Sequence, residues 1–154
     1  MLYIGIDPGN NGGIAVVNRF GDLVDTQKMP STPLDIYDYL YELASGEEDV
    51  CCCLEDVGHG LPGQSSKATA TFARHNGHLE MALLVLGIPT VTVTPQKWMK
   101  YYQIGKASDY KNKSAWKNKL KAKAQALFPN YQKLTLCTSD AALLANYILH
   151  QKVR

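Results

Sequence analysis

Hydrophobic residues along the chain recur with two different spacings, and the switches between them mark out the elements. Leu2–Asp7 alternates apolar residues and predicts a buried strand. Gly9-Asn10-Asn11-Gly12-Gly13 is a turn, because glycine and asparagine tolerate positive φ. Ile14–Asn18 resumes as a second strand, and Phe20-Gly21-Asp22 turns it into a third over Leu23–Met29. Thr32-Pro33-Leu34-Asp35 is a helix start, with Ile36, Leu40 and Leu43 at helical spacing up to Ser45-Gly46. Val50–Glu55 is a short apolar strand ending in two acids, Glu55-Asp56. The glycine-rich stretch Gly58–Ser66 precedes a helix from Lys67 to Leu86, closed by Gly87. Thr90–Val93 predicts a fifth strand. Thr94-Pro95-Gln96 opens a short helix that includes Trp98, residues 103–112 form a loop, and Ser114–Phe128 is a lysine-rich helix stopped before Pro129. Thr138 or Ser139 caps a last helix whose apolar side carries Leu143, Leu144, Tyr147 and Ile148. Hairpins pair antiparallel and helical crossovers pair parallel, so this order predicts a mixed five-stranded sheet with helices on both faces.

A length of 154 residues suits a single domain, 1–154, able to bury one core. The longest apolar run, Met81–Ile88, is far short of a membrane span. The acid Asp7 stands where a signal peptide needs basic residues and an apolar stretch, so neither secretion nor a membrane partner is expected. Cys51-Cys52-Cys53 point alternately to opposite faces of a strand, and no CxxC pair accompanies them. They are expected as small buried hydrophobes in a reducing compartment rather than as zinc ligands.

The net charge of +2 conceals a segregation. Residues 1–96 hold 4 basic and 12 acidic side chains, whereas residues 97–123 hold 9 lysines against Asp109. These lysines are interleaved with Trp98, Tyr101, Tyr102, Tyr110 and Trp116. Lysines neutralise phosphates and aromatic faces stack on unpaired bases, which favours nucleic acid as the partner. The plainer use of the same segment is a solvated helix face anchored to the core by its aromatics.

Three acids fall at element ends. Asp7 closes the first strand, Glu55 closes the fourth, and Asp140 is expected in the first turn of the last helix, where the helix dipole favours an ionised acid. If the first and fourth strands are parallel neighbours, these ends converge at one edge of the sheet. Three convergent carboxylates suit hard divalent cations such as Mg²⁺, and two such ions about 3.5–4 Å apart can serve in-line displacement at phosphorus. Each acid also has a purely structural use: Asp7 in its Asp-Pro-Gly turn, Glu55 as a strand-end surface acid, Asp140 as an N-cap.

Ile4-Gly5-Ile6-Asp7-Pro8-Gly9, Leu54-Glu55, Phe72-Ala73-Arg74-His75-Asn76-Gly77, Gly87-Ile88-Pro89, Thr94-Pro95-Gln96-Lys97-Trp98 and the helix from Asp140-Ala141 together resemble RuvC-like Holliday-junction resolvases. The likeness runs in order through nearly the whole chain. It implies the α/β ribonuclease-H-like fold, in the compact form of bacterial and phage members. It further implies a metal-dependent endodeoxyribonuclease in which Asp7, Glu55 and Asp140 are catalytic metal ligands for two Mg²⁺ ions, Mn²⁺ substituting. The implied partners are branched DNA, specifically a four-way junction, and a second copy of the chain, since two symmetric cuts suit a homodimer. DNA contacts then fall on His59, Lys67, Arg74, Lys97, Lys100, Lys106, Lys111, Lys113, Lys117, Lys119 and Lys121. The implied location is the cytoplasm, at a bacterial nucleoid or in a phage-infected host.

Two departures bear on that reading. The family places a further carboxylate one helical turn from the last acid, but Cys137 and Leu143 occupy those positions here. Three acids plus substrate phosphate, Asp56, or a neutral group then have to complete the site, or activity is weak. The cellular enzymes also carry an aromatic soon after the glutamate, where this chain has Gly58 and His59. Other readings are a nuclease for flap, mismatched or RNA–DNA hybrid substrates, and a junction-binding protein with little cleavage. An actin-like kinase or ATPase, whose phosphate loop also carries Gly-x-Asp-x-Gly near the chain start, is not expected, because such proteins need two domains of this kind to enclose a nucleotide and 154 residues supply one.

Overall fold

The computed structural model describes residues 1–46, 48–58 and 65–152. The described residues form strands β1 (Leu2–Asp7), β2 (Gly13–Asn18), β3 (Leu23–Lys28), β4 (Val50–Glu55) and β5 (Thr90–Val93). Helices are α1 (Pro33–Ala44), α2 (Ser66–Val85), α3 (Pro95–Tyr101), α4 (Lys113–Leu127) and α5 (Leu136–Lys152). The stretch expected as a loop over 103–112 contains one short 3-10 turn, Ala107–Asp109.

The sheet order is β3-β2-β1-β4-β5. β1–β2 and β2–β3 are antiparallel, β1–β4 and β4–β5 parallel, as the hairpins and crossovers predict. β1 is thus central, and its register pairs Gly5 with Cys53 and Ile6 with Leu54. One step further along both strands brings the carboxyl ends at Asp7 and Glu55 side by side.

Side-chain alternation divides the molecule into two layers. Ile4, Ile6, Cys52 and Leu54 point into the core covered by α1 and α2, with Ile36, Leu40, Leu79 and Leu83. Tyr3, Cys51 and Cys53 point the other way, into the core beneath α3, α4 and α5. Asp7 and Glu55 share this second parity, so both side chains are delivered to the α5 layer. The three adjacent cysteines are buried and divided between the two cores, as their alternation predicts.

α1 begins as expected, with the Thr32 hydroxyl accepting from the Asp35 N–H and Pro33 in the first turn. α5 corrects the expectation. It starts at Leu136 rather than after Thr138 or Ser139, so Asp140 lies in the second turn and not in the first. Thr138 Oγ1 accepts from the Thr135 N–H at 3.1 Å, which closes the turn ahead of the helix. Residues 138–149 are buried all round, sandwiched between the sheet and α4. Such close docking depends on Gly5, where an added Cβ would stand 2.0 Å from the Ala141 carbonyl oxygen and 2.4 Å from the Ala145 nitrogen. Among the described residues no helix is long and apolar enough to cross a membrane.

Candidate active site

Asp7, Glu55 and Asp140 are all buried, and they lie together at the carboxyl edge of β1 and β4 under α5. Asp7 and Glu55 lie within hydrogen-bond reach of each other, and the contact raises the Asp7 carboxyl while lowering that of Glu55. Burial, followed by the negative charges of Glu55 and Asp140, holds the Asp7 carboxyl well above the usual carboxylate range. Glu55 is also raised, mainly by burial and then by Asp140, against the opposing hydrogen bond from Trp98. Asp140 is raised by burial although a lysine opposes the shift. Packing three acids in one buried pocket favours their protonated forms, which a nearby ammonium offsets only in part.

Two residues complete the pocket. The Trp98 indole N–H of α3 donates to Glu55 Oε1 at 2.8 Å, within a fully buried contact. Tyr102, one turn on, donates to the Leu143 carbonyl at 2.8 Å and accepts from Asn146 Nδ2 at 2.9 Å, tying α3 to α5. Lys117 of α4 places its ammonium 2.5 Å from Asp140 Oδ2. Asp140 is 4% exposed and Lys117 33%. Burial would lower the Lys117 pKa, but Asp140, Asp7 and Glu55 together raise it. Asp140 Oδ1 is buried and has no hydrogen-bond partner among the described residues.

The donor set therefore fits a hard divalent cation chemically: three carboxylates carrying excess negative charge, and one buried oxygen with nothing bonded to it. It is not preassembled, since among the described residues no three Asp, Glu, His or Cys side chains stand in a ready metal-holding cluster. Asp56 adds nothing to the pocket; its side chain is exposed and accepts from the Gly58 N–H at 3.1 Å.

The remaining predicted contacts are distributed unevenly. Lys97 and Lys100 on α3, and Lys106, Lys111, Lys113 and Lys119 around and on α4, are exposed. Lys121 is half-buried, and so is Lys123, which sits 5.9 Å over the Tyr102 ring. Lys67 and Arg74 are exposed on α2. Lys117 departs from the expected solvated row and enters the acidic pocket. His59 lies outside the described residues. Sequence reasoning missed Lys117 and Trp98 as pocket residues. Trp98 stood in the sequence as an aromatic among lysines and as part of the Thr94-Pro95-Gln96-Lys97-Trp98 motif, with no role in the pocket attached, and nothing in the α4 pattern separates Lys117 from its neighbours except adjacency to buried Trp116 and Leu120.

No family model matches the sequence, and no curated protein matches it. Solved structures do. One, described as T. thermophilus RuvC in complex with Holliday junction substrate, superposes with a TM-score of 0.71 at 14% identity, covering 99% of this chain and 96% of that one. A second, of Thermus thermophilus RuvC, gives a TM-score of 0.68 at 15% identity with the same coverage. The fold of this chain is that of RuvC, end to end.

Proposed function

We propose that the chain is an endodeoxyribonuclease that resolves four-way DNA junctions by hydrolysing one phosphodiester in each of two symmetric strands. The observation that carries this reading is the gathering of Asp7, Glu55 and Asp140, 133 residues apart at the extremes, into one buried acidic pocket on a RuvC fold. The three acids would hold the divalent cations, Mg²⁺ or Mn²⁺ and two per site, which would supply Lewis acidity toward a phosphate. Trp98 fixes the orientation of Glu55, while α3 and α4 flank the pocket and carry exposed lysines able to hold phosphate backbones on either side. A homodimer is supported by α2, whose outer face leaves Met81, Leu84 and Val85 59%, 73% and 64% exposed.

The alternative of a junction-binding protein with little cleavage draws support from Lys117 on Asp140 and from the lack of a fourth acid at positions 137 and 143. One experiment separates the two: incubation with four-way, flap and duplex DNA, with and without Mg²⁺ or Mn²⁺. Metal-dependent paired nicks in the four-way junction are expected. Asp7→Asn, Glu55→Gln and Asp140→Asn should each slow nicking by more than about a hundredfold, the most that disturbing an outer partner of a metal ligand costs, and leave junction binding largely intact. A variant cutting at near wild-type rate removes that residue from the metal site. Binding without nicking by the wild type leaves the binder, and preference for flap DNA reassigns the substrate.

A further inference from the structure

Building on the nuclease reading above, we infer that the Lys117 ammonium is an internal counter-ion that keeps Asp140 closed to divalent cations until a DNA phosphate draws it away. The ion pair occupies Asp140 Oδ2, the oxygen of that carboxylate with a partner, while Oδ1 stays buried and unbonded. A cation seated between Asp140 and the Asp7–Glu55 pair would have to share the pocket with a positive charge already there, and like charges in a dry site repel strongly. Among the described residues, Lys117 is the cation whose charge acts on all three acids, and it is in contact with one of them.

The lysine is also built to leave. It is a third exposed, and its ammonium sits at the end of a flexible four-carbon stem. On α4 it has Lys113 four residues before it and Lys121 four residues after, so the three lie along one helical row. A backbone phosphate held by Lys113 or Lys121 arrives within one turn of Lys117 and offers its ammonium a solvated anion in exchange for a buried one. Cation loading and DNA binding then reinforce each other, and such linkage is reciprocal. The pocket of the unbound protein therefore binds cations more weakly than the same pocket on DNA.

Calorimetric titration of the full, metal-free chain with Ca²⁺ tests this without relying on cleavage. Lys117→Gln is expected to bind Ca²⁺ at least about fivefold tighter than wild type, and Lys117→Arg, which keeps the charge, to match wild type. Amine acylation read by mass spectrometry checks the unmodified chain. Lys117 should be protected relative to Lys119, and Ca²⁺ should raise its reactivity. Lys117→Gln binding Ca²⁺ no tighter than wild type overturns the inference. So does wild-type acylation at Lys117 that ignores Ca²⁺, which decides the matter even if the glutamine variant does not fold. The control is Asp140→Asn: weakened Ca²⁺ binding there keeps the metal site whatever Lys117 does, whereas unchanged binding removes the metal site and this inference with it.

Discussion

A carboxyl group pushed out of its ordinary titration range is under stress from its surroundings, and Asp7, buried beside Glu55 and Asp140, is such a group. Its raised pKa means that the folded chain binds a proton the unfolded chain has released, throughout the window above the ordinary carboxylate range. Stability of the metal-free chain therefore falls as pH rises through that window. Asp7→Asn keeps the shape without the charge, so it should flatten the fall and raise the melting temperature at pH 8 by about 3 °C, the shift that roughly 1 kcal/mol gives in a chain of this length. Equal pH slopes for wild type and variant in thermal melts would show that Asp7 is not the stressed group. Trp98 acts in the opposite direction. Trp98→Phe strips the buried Glu55 Oε1 of its donor and should cost about 1–3 kcal/mol in urea unfolding. Both acids were legible in the sequence, since each sits where an apolar strand stops. Lys117 was not, because a lysine beside a buried tryptophan on an amphipathic helix is ordinary until its tertiary partner is known.

At the scale of elements, the pocket exists because α5 lies directly on β1. Gly5 permits that approach, and Gly5→Ala would set a methyl group against the backbone of Ala141 and Ala145. Overpacking against backbone, which cannot swing aside, should cost about 3 kcal/mol or more and displace Asp140 from Asp7. Urea unfolding measures the first effect; Ca²⁺ binding to whatever remains folded measures the second. The strands and their pairing followed from alternation and connection length, and the Thr32-Pro33 helix start from capping chemistry. The beginning of α5 did not. Thr138 and Ser139 have the chemistry of caps, but Thr138 serves from inside the helix by bonding back to Thr135. A helix buried on every side also lacks the polar stripe that would have fixed its limits.

Across the whole molecule, the charge segregation seen in the sequence becomes spatial. Acids predominate in residues 1–96, whereas α3 and α4 carry the lysine-rich segment to the rim of an acidic pocket. Replacing exposed Lys113 and Lys119 together with glutamine should weaken junction binding and flatten its salt dependence, by up to about 0.9 in log–log slope for each lost phosphate contact. An unaltered slope would return α4 to the role of a solvated face. Under the homodimer proposed above, Leu84→Glu on the outer face of α2 should give monomers in sedimentation where the wild type gives dimers, and a wild type that sediments as a monomer removes that proposal.

The acidic pocket draws on the first strand, the fourth strand and the last helix. A polypeptide still emerging from the ribosome holds Asp7 and Glu55 long before Asp140 exists, so the nascent molecule has two thirds of its acids and none of its closure. Whatever chemistry the three acids perform together therefore arrives all at once and late in synthesis.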